Sequence, residues 1–357
     1  MSNYQLSMFP GMAAVVMDEA QDIVGVRPVK IGRLRNGEIA NLSYSGHPKD
    51  LLKLRTVEDV YAVVGQIPLS GQTVDLKTIG QAKLWGADLR RALDIWTRVT
   101  GEPLVKRQQF RVVVQADDAI WRHYRRLDIV LSAERALIHA GSSWRLNRDE
   151  APLEIWLQQV DHELLVSVRL TSSYDRQHGG REVERGAALR PNVAAAMVRL
   201  AGIDPDDVFL DPMCGTGTIL LERAVAGRYK LLLGGDVSQD AVNATLANFG
   251  PRHKPWEIRV WDATKLPLAD ASVSKVVTNL PWGRQISEQS ALPSLYSEFL
   301  SEAERVLTEH GRIVVLTSEW DLFKKVVHAK AGLMLAKSVS DIEILGRRAD
   351  IFVLEHV

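Results

Sequence analysis

The chain has 357 residues, 46% hydrophobic and 25% charged, with 44 basic and 44 acidic side chains. That is ordinary globular composition for two or three domains, and it excludes a mainly disordered or fibrous protein. No run reaches the ~20 apolar residues of a membrane span, the N-terminus lacks a basic signal-peptide region, and the single cysteine, Cys214, cannot close an internal disulfide. A cytoplasmic protein is expected.

In chain order, Pro10-Gly11 opens a predicted helix over 11–24, with Met12, Val15, Val16, Ala20 and Ile23 on one side. Short extended segments follow at 26–34 and 39–44. Residues 57–64 (VEDVYAVV) read as helical, and a longer helical pattern covers 74–99. FRVVVQ (110–115) is a strand of β-branched residues, and 126–139 reads as another helix. EIWLQQV (154–160) and ELLVSVRLT (163–171) alternate around Asp161-His162, which predicts a hairpin with one buried face. Residues 171–187 are polar and turn-rich, the best linker in the chain.

Beyond residue 188 strands alternate with helices. Predicted strands are 207–211, 230–236, 257–262, 275–280 and 312–318, with continuous apolar runs expected of strands buried on both faces. Helices are predicted at 217–226, 238–249 and 293–309, and two last strands near 335–344 and 349–355. This is a doubly wound α/β sheet, whose ligands bind at the C-terminal strand ends.

The loops at those ends carry the chemistry. In DPMCGTGTILLERA (211–224) Gly215 and Gly217 make a tight turn between strand and helix and let a ligand approach the backbone. A dinucleotide site is the rival reading, with Asp236 as its ribose acid, but Leu220 stands at the third glycine position. A carboxylate at Asp211 repels a pyrophosphate and attracts an ammonium. The loop therefore favours S-adenosylmethionine (SAM) over a nicotinamide cofactor. Asp236 can accept from both hydroxyls of a ribose. Asp262 can accept from an adenine amine, with the next backbone N–H, at Ala263, donating to the ring. Each acid alone is an ordinary strand-end residue; three at successive strand ends predict one crevice.

The fourth strand ends in TNLPWG (278–283). The Asn279 side chain and the Leu280 backbone offer two acceptors for one exocyclic amine, Pro281 stiffens the turn, and Trp282 offers a flat face on which a base can stack. Cys214 could act as a nucleophile, yet it has no basic neighbour in sequence and reads better as a small packed residue of the cofactor loop. His178 and His253 have no ligand spacing, so no metal site is expected.

Positive charge concentrates in the first half. Residues 27–55 carry seven Lys/Arg against Glu38 and Asp50, and 81–148 carry 13 against seven acids. Arg122, Arg125 and Arg126 stand beside Trp121 and Tyr124, a basic stripe with aromatics that suits RNA; a solvated helix face is the plainer reading. Residues 187–357 are near neutral, with 19 basic and 21 acidic residues.

These loops resemble the class I SAM-dependent methyltransferases of the amino-methylating branch with an (N/D)-P-P-(Y/F/W) motif, departing at Leu280. With LRPNVAAAMVRLAG (189–202), the string is similar to the THUMP-domain RNA methyltransferases, nearest the tRNA (guanine-N2)-methyltransferases. In the first half MFPGMAAVVMDEA, LRTVEDVYA, FRVVVQ and the 154–171 hairpin match that family in order. The resemblance implies a ferredoxin-like domain over 1–66, a THUMP RNA-binding domain over 67–172, a linker over 173–186 and a Rossmann-like methyltransferase domain over 187–357. It implies cofactor contacts from Asp211, Met213, Cys214, Gly215, Thr216, Gly217, Asp236, Val237, Asp262, Ala263 and Asn279. A catalytic loop of Asn279, Leu280, Pro281 and Trp282 follows from it, and an RNA or cofactor contact from Arg190. The partner implied is tRNA, gripped at its acceptor end by a monomer. Methylation of ribosomal RNA, or of an adenine or cytosine amine, stays open, as does an RNA-binding module with an inactive catalytic domain. Intact Asp211, Asp236, Asp262 and Asn279 argue against the last.

Overall fold

The computed structural model describes residues 2–34, 36–116, 123–141, 143–178, 183, 189–283, 286–344 and 346–357. The chain divides into two compact units, Met1–Arg176 and Gln177–Val357.

The first unit is built on one sheet. Its strands are β1 (Ser2–Met8), β2 (Arg27–Leu34), β3 (Gly37–Tyr44), β4 (Asp59–Pro68), β5 (Gln109–Gln115), β6 (Arg145–Leu146), β7 (Leu153–Val160) and β8 (Glu163–Arg169), in the order β2-β3-β1-β4-β8-β7-β5-β6. Helices α1 (Ala13–Gln21), α2 (Val74–Gly80), α3 (Ala87–Thr100) and α4 (Arg126–Gly141) connect them, and α5 (Ser173–Arg176) is a single turn at the unit's end.

Residues 57–64 are not helical: 59–68 form β4, between β1 and β8. Val57, Val60, Tyr61 and Val64 mimic helical spacing, but the β-branched and aromatic content and burial on both faces suit a central strand. The 74–99 pattern is two helices separated by a 3-10 turn at Lys83–Trp85 and by Gly86. The β7–β8 hairpin is buried along both strands rather than on one face, because α3 packs against β8, β2 reaches β7, and its polar side chains have partners. Glu154 accepts from Trp156 Nε1 (2.8 Å) and pairs with Arg169 (2.9 Å) and Arg111. The expected boundary at 66/67 falls inside β4.

The second unit is a Rossmann-like sheet. Its strands are β9 (Val208–Asp211), β10 (Leu231–Asp236), β11 (Trp256–Val260), β12 (Val273–Asn279), β13 (Leu307–Thr317), β14 (Leu333–Ile344) and β15 (Arg347–His356), in the order β11-β10-β9-β12-β13-β15-β14. The first five run parallel, and β15 is antiparallel to both neighbours. Helices α6 (Pro191–Ala201), α7 (Thr218–Ala226), α8 (Gln239–Phe249), α9 (Ile286–Val306) and α10 (Trp320–His328) complete it. α6 is alanine-rich and buried along nearly its whole length. Tyr296, Phe299, Leu300 and Ala303 of α9 join Val276, Ile313, Val315 and Phe323 in one core.

β11 is an edge strand, so Glu257, Arg259 and Val260 are exposed rather than buried on both sides. α9 ends at Val306 and passes directly into β13, three residues before the expected end of the helix at 309. Strand order reverses between β9 and β12, because the chain runs outward to β10 and β11 and then returns. That switch point opens a crevice above the strand ends.

Candidate functional site

Asp211 ends β9 and Asn279 ends β12, the two strands that flank the switch point. Asp211 is 1% exposed. One of its oxygens accepts from Thr278 Oγ1 (2.8 Å) and from the Met213 backbone N–H (3.3 Å). Burial pushes its carboxyl up to about 7, and Asp236 adds to the rise; the bonds from Thr278 and Met213 act against it. A buried carboxylate with so few donors is costly, and a cationic ligand would relieve that cost.

Asp236 ends β10. Its oxygens accept from Gly215 N–H (3.0 Å) and Ser238 N–H (2.9 Å), tying the glycine loop to the second strand. An ionised carboxylate has about four acceptor positions, so capacity remains for ribose hydroxyls. Gly217 takes φ +81°, and a Cβ there would lie 2.7 Å from Thr245 Cγ2, so only glycine fits. Cys214 is buried against Thr245 Oγ1 (3.6 Å), and burial with Asp211 nearby pushes the thiol up, which leaves it a poor nucleophile.

These groups line a cavity of about 300 Å³. Of the sequence-predicted residues, Asp211, Met213, Cys214, Gly215, Thr216, Asp236 and Asn279 line it. Leu189, Thr218, Ile219, Ser238 and Ala241 line it as well, and nothing in their local sequence signals chemistry. Gly217, Val237, Asp262, Ala263, Leu280, Pro281, Trp282 and Arg190 lie outside its lining. Asp262 is exposed beyond the end of β11, where Thr264 donates to it from its N–H (2.9 Å) and hydroxyl (2.7 Å). Those bonds hold its carboxyl below the usual range. Val237 is 79% exposed, next to Asp236.

The Asn279 Oδ1 atom is buried and has no hydrogen-bond partner. Buried polar atoms without a partner are uncommon in folded proteins, and this one belongs to a residue that lines the cavity. The rest of the loop is braced from behind. Tyr296 of α9 donates to the Pro281 carbonyl (2.7 Å) and lies 2.9 Å from Thr317 Oγ1, its hydroxyl pushed up to about 12 by burial. Leu280 packs into the core at 1% exposure, and its N–H donates to Leu316 O (3.0 Å). The open aromatic face expected at Trp282 is not present: the ring is 8% exposed, Arg347 Cζ lies 6.0 Å from its centroid, and Arg347 donates to the Trp282 carbonyl (3.2 Å). Arg347 in turn pairs with Glu319 (3.2 Å).

In the first unit Arg125 and Arg126 are exposed at the start of α4. Tyr124 is not a stacking platform: it is buried and donates to Asp75 Oδ2 (2.6 Å). Trp121 and Arg122 lie outside the described residues. On β2, Arg27, Lys30 and Arg33 are exposed along a sheet edge. Arg190 is exposed in the second unit, and its carbonyl accepts from Val193 (3.2 Å) and Ala194 (3.1 Å) at the start of α6. His178 pairs with Glu222 (2.9 Å). Among the described residues no three His, Cys, Asp or Glu side chains are grouped to hold a metal, and no helix is long and apolar enough to cross a membrane.

Residues 178–340 match the family model described as UPF0020, the RMKL-like methyltransferase domain. The chain is 30% identical over 226 residues to human tRNA (guanine(6)-N(2))-methyltransferase THUMP3, covering 59% of this chain and 44% of that protein. It is 28% identical over 238 residues to the tRNA (guanine(6)-N2)-methyltransferase of Archaeoglobus fulgidus, covering 58% and 60%. The matches thus span about half the length of these relatives. The crystal structure of TrmN from Thermus thermophilus superposes with a TM-score of 0.79 over the whole of both chains at 22% identity, a shared fold.

Proposed function

We propose that this protein, whose residues 178–340 match the UPF0020 methyltransferase-domain model, transfers a methyl group from SAM to the exocyclic N2 amine of a guanosine in tRNA, in the acceptor stem. The observation that carries the reading is the cavity in which the buried carboxylate of Asp211, the Asp236 carboxylate and the unpartnered Oδ1 of Asn279 meet. This donor set fits SAM: Asp211 suits its ammonium, Asp236 its ribose, and the backbone around Gly215 can lie close to it. When bound, SAM supplies an electrophilic methyl group. Asp262 and Ala263, which follow β11, are the candidates for the adenine. The names of both relatives support guanine N2 and tRNA.

Asn279 Oδ1 accepts one hydrogen of the target amine, and the Leu280 carbonyl is the candidate for the other. Held so, the nitrogen lone pair faces the methyl donor. No strong base is needed, since the amine sheds its proton as its nitrogen becomes cationic, and the two acceptors stabilise that charge. Tyr296 and Arg347 keep the loop in place through the Pro281 and Trp282 carbonyls. Paired guanosine hides its N2 in the minor groove, so the target nucleotide must leave the helix. The first unit, read as ferredoxin-like and THUMP parts, holds the tRNA through Arg27, Lys30, Arg33, Arg125 and Arg126. Mass analysis of nucleosides from tRNA and rRNA incubated with the protein and labelled SAM tests this. N2-methylguanosine in tRNA is expected; a label confined to rRNA, or on adenosine or cytidine, overturns it.

A further inference from the structure

Trp261 directly follows β11, and nothing in its local sequence marks it for function. Its surroundings do. The indole is 7% exposed and covers Gly235 of β10 so closely that a Cβ there would lie 1.9 Å from the ring. Its backbone N–H donates to the Asp236 carbonyl (3.2 Å). Its Nε1–H donates to the Pro212 carbonyl (3.1 Å), 49 residues away in the cofactor loop. One residue thereby joins the ends of three neighbouring strands, β9, β10 and β11.

The bond to Pro212 has a directional consequence. The 212–213 peptide is planar and trans, so its C=O and N–H point in opposite directions. The C=O is held by Trp261, and the N–H, that of Met213, donates to Asp211 Oδ1 (3.3 Å). Turning this peptide would break both bonds together. Resting on the reading of Asp211 as the partner of the cofactor's ammonium, we infer that Trp261 is a positioning residue for the SAM site: its indole N–H orients the 212–213 peptide so that Met213 N–H holds the Asp211 carboxylate in place. The other groups acting on Asp211 are the Thr278 hydroxyl from β12, Asp236 from β10 and the Cys214 thiol from the loop. Of these, the hydroxyl alone favours the ionised form, so the Met213 bond matters.

The test uses the full chain with Trp261→Phe, and with benzothienylalanine in place of Trp261, which keeps the bicyclic shape and lacks only the N–H. Calorimetry at pH 8 is expected to give SAM dissociation constants about two- to tenfold higher in both, the range for one hydrogen bond. Carbon-13 NMR of aspartate-labelled protein without SAM, with Asp211 assigned by Asp211→Asn, is expected to show its titration midpoint moved upward in both. A purely structural Trp261 would lower the melting temperature and leave the Asp211 midpoint unchanged; that result overturns the inference, as does unchanged SAM affinity in both variants. A wild type with no SAM affinity overturns the cofactor reading instead, while the titration still decides the link between Trp261 and Asp211.

Discussion

Asp211→Asn separates what the carboxylate does for the cofactor from what it costs the fold. Burial lifts this carboxyl from an ordinary 3.8 to about 7. A group raised on folding stabilises the protein fully below its unfolded value and loses that contribution as pH climbs to the folded one. The loss therefore falls between pH 3.8 and about 7. At ~1.4 kcal/mol per pH unit it approaches ~4 kcal/mol, an upper figure that local relaxation reduces. Asparagine keeps an oxygen to accept from Thr278 and Met213 and never ionises. The variant should match the wild type near pH 4 and exceed it by roughly 2–4 kcal/mol at pH 8. For a unit of this size each kcal/mol moves the melting midpoint by ~2–4 °C. Scanning calorimetry of both proteins between pH 4 and 8 measures the divergence, following the transition that SAM shifts in the wild type. The same variant should bind SAM at least tenfold more weakly at pH 8, because the ammonium loses its counter-charge. A variant no more stable than wild type at pH 8, or one that binds SAM normally, would refute the reasoning.

Asn279→Ala should cut methyl transfer by about two to three orders of magnitude while SAM binding persists; calorimetry paired with single-turnover assays checks this, and wild-type turnover would remove the amine-acceptor role. Asp236→Ala should weaken SAM binding with the fold retained by circular dichroism, and unchanged affinity would dismiss its place in the site. Replacing Arg27, Lys30 and Arg33 together by glutamate should weaken tRNA binding and flatten its dependence on salt, since fewer counterions are then released. An unaltered salt slope in filter binding would clear the β2 edge of that role.

Much of the second unit is legible in the order of its residues. Continuous apolar strands followed by helices announce a parallel sheet, and such sheets place chemistry after strand ends. Asp211, Asp236 and Asn279 follow from that rule, and the cavity contains all three. Tyr296, Arg347 and Trp261 do not, because their partners lie 15, 65 and 49 residues away. Nor does the rule say that Asp262 is exposed outside the cavity lining, or that Trp282 is covered. In the first unit the pattern at 57–64 is compatible with a helix, and pairing with β1 and β8 makes it a strand. Local spacing records which side of an element is apolar, and residue type records what chemistry an element end can perform. Neither records what packs against that side. The partners come from contacts distant in sequence, where burial and hydrogen-bond satisfaction over the whole fold outweigh local preference.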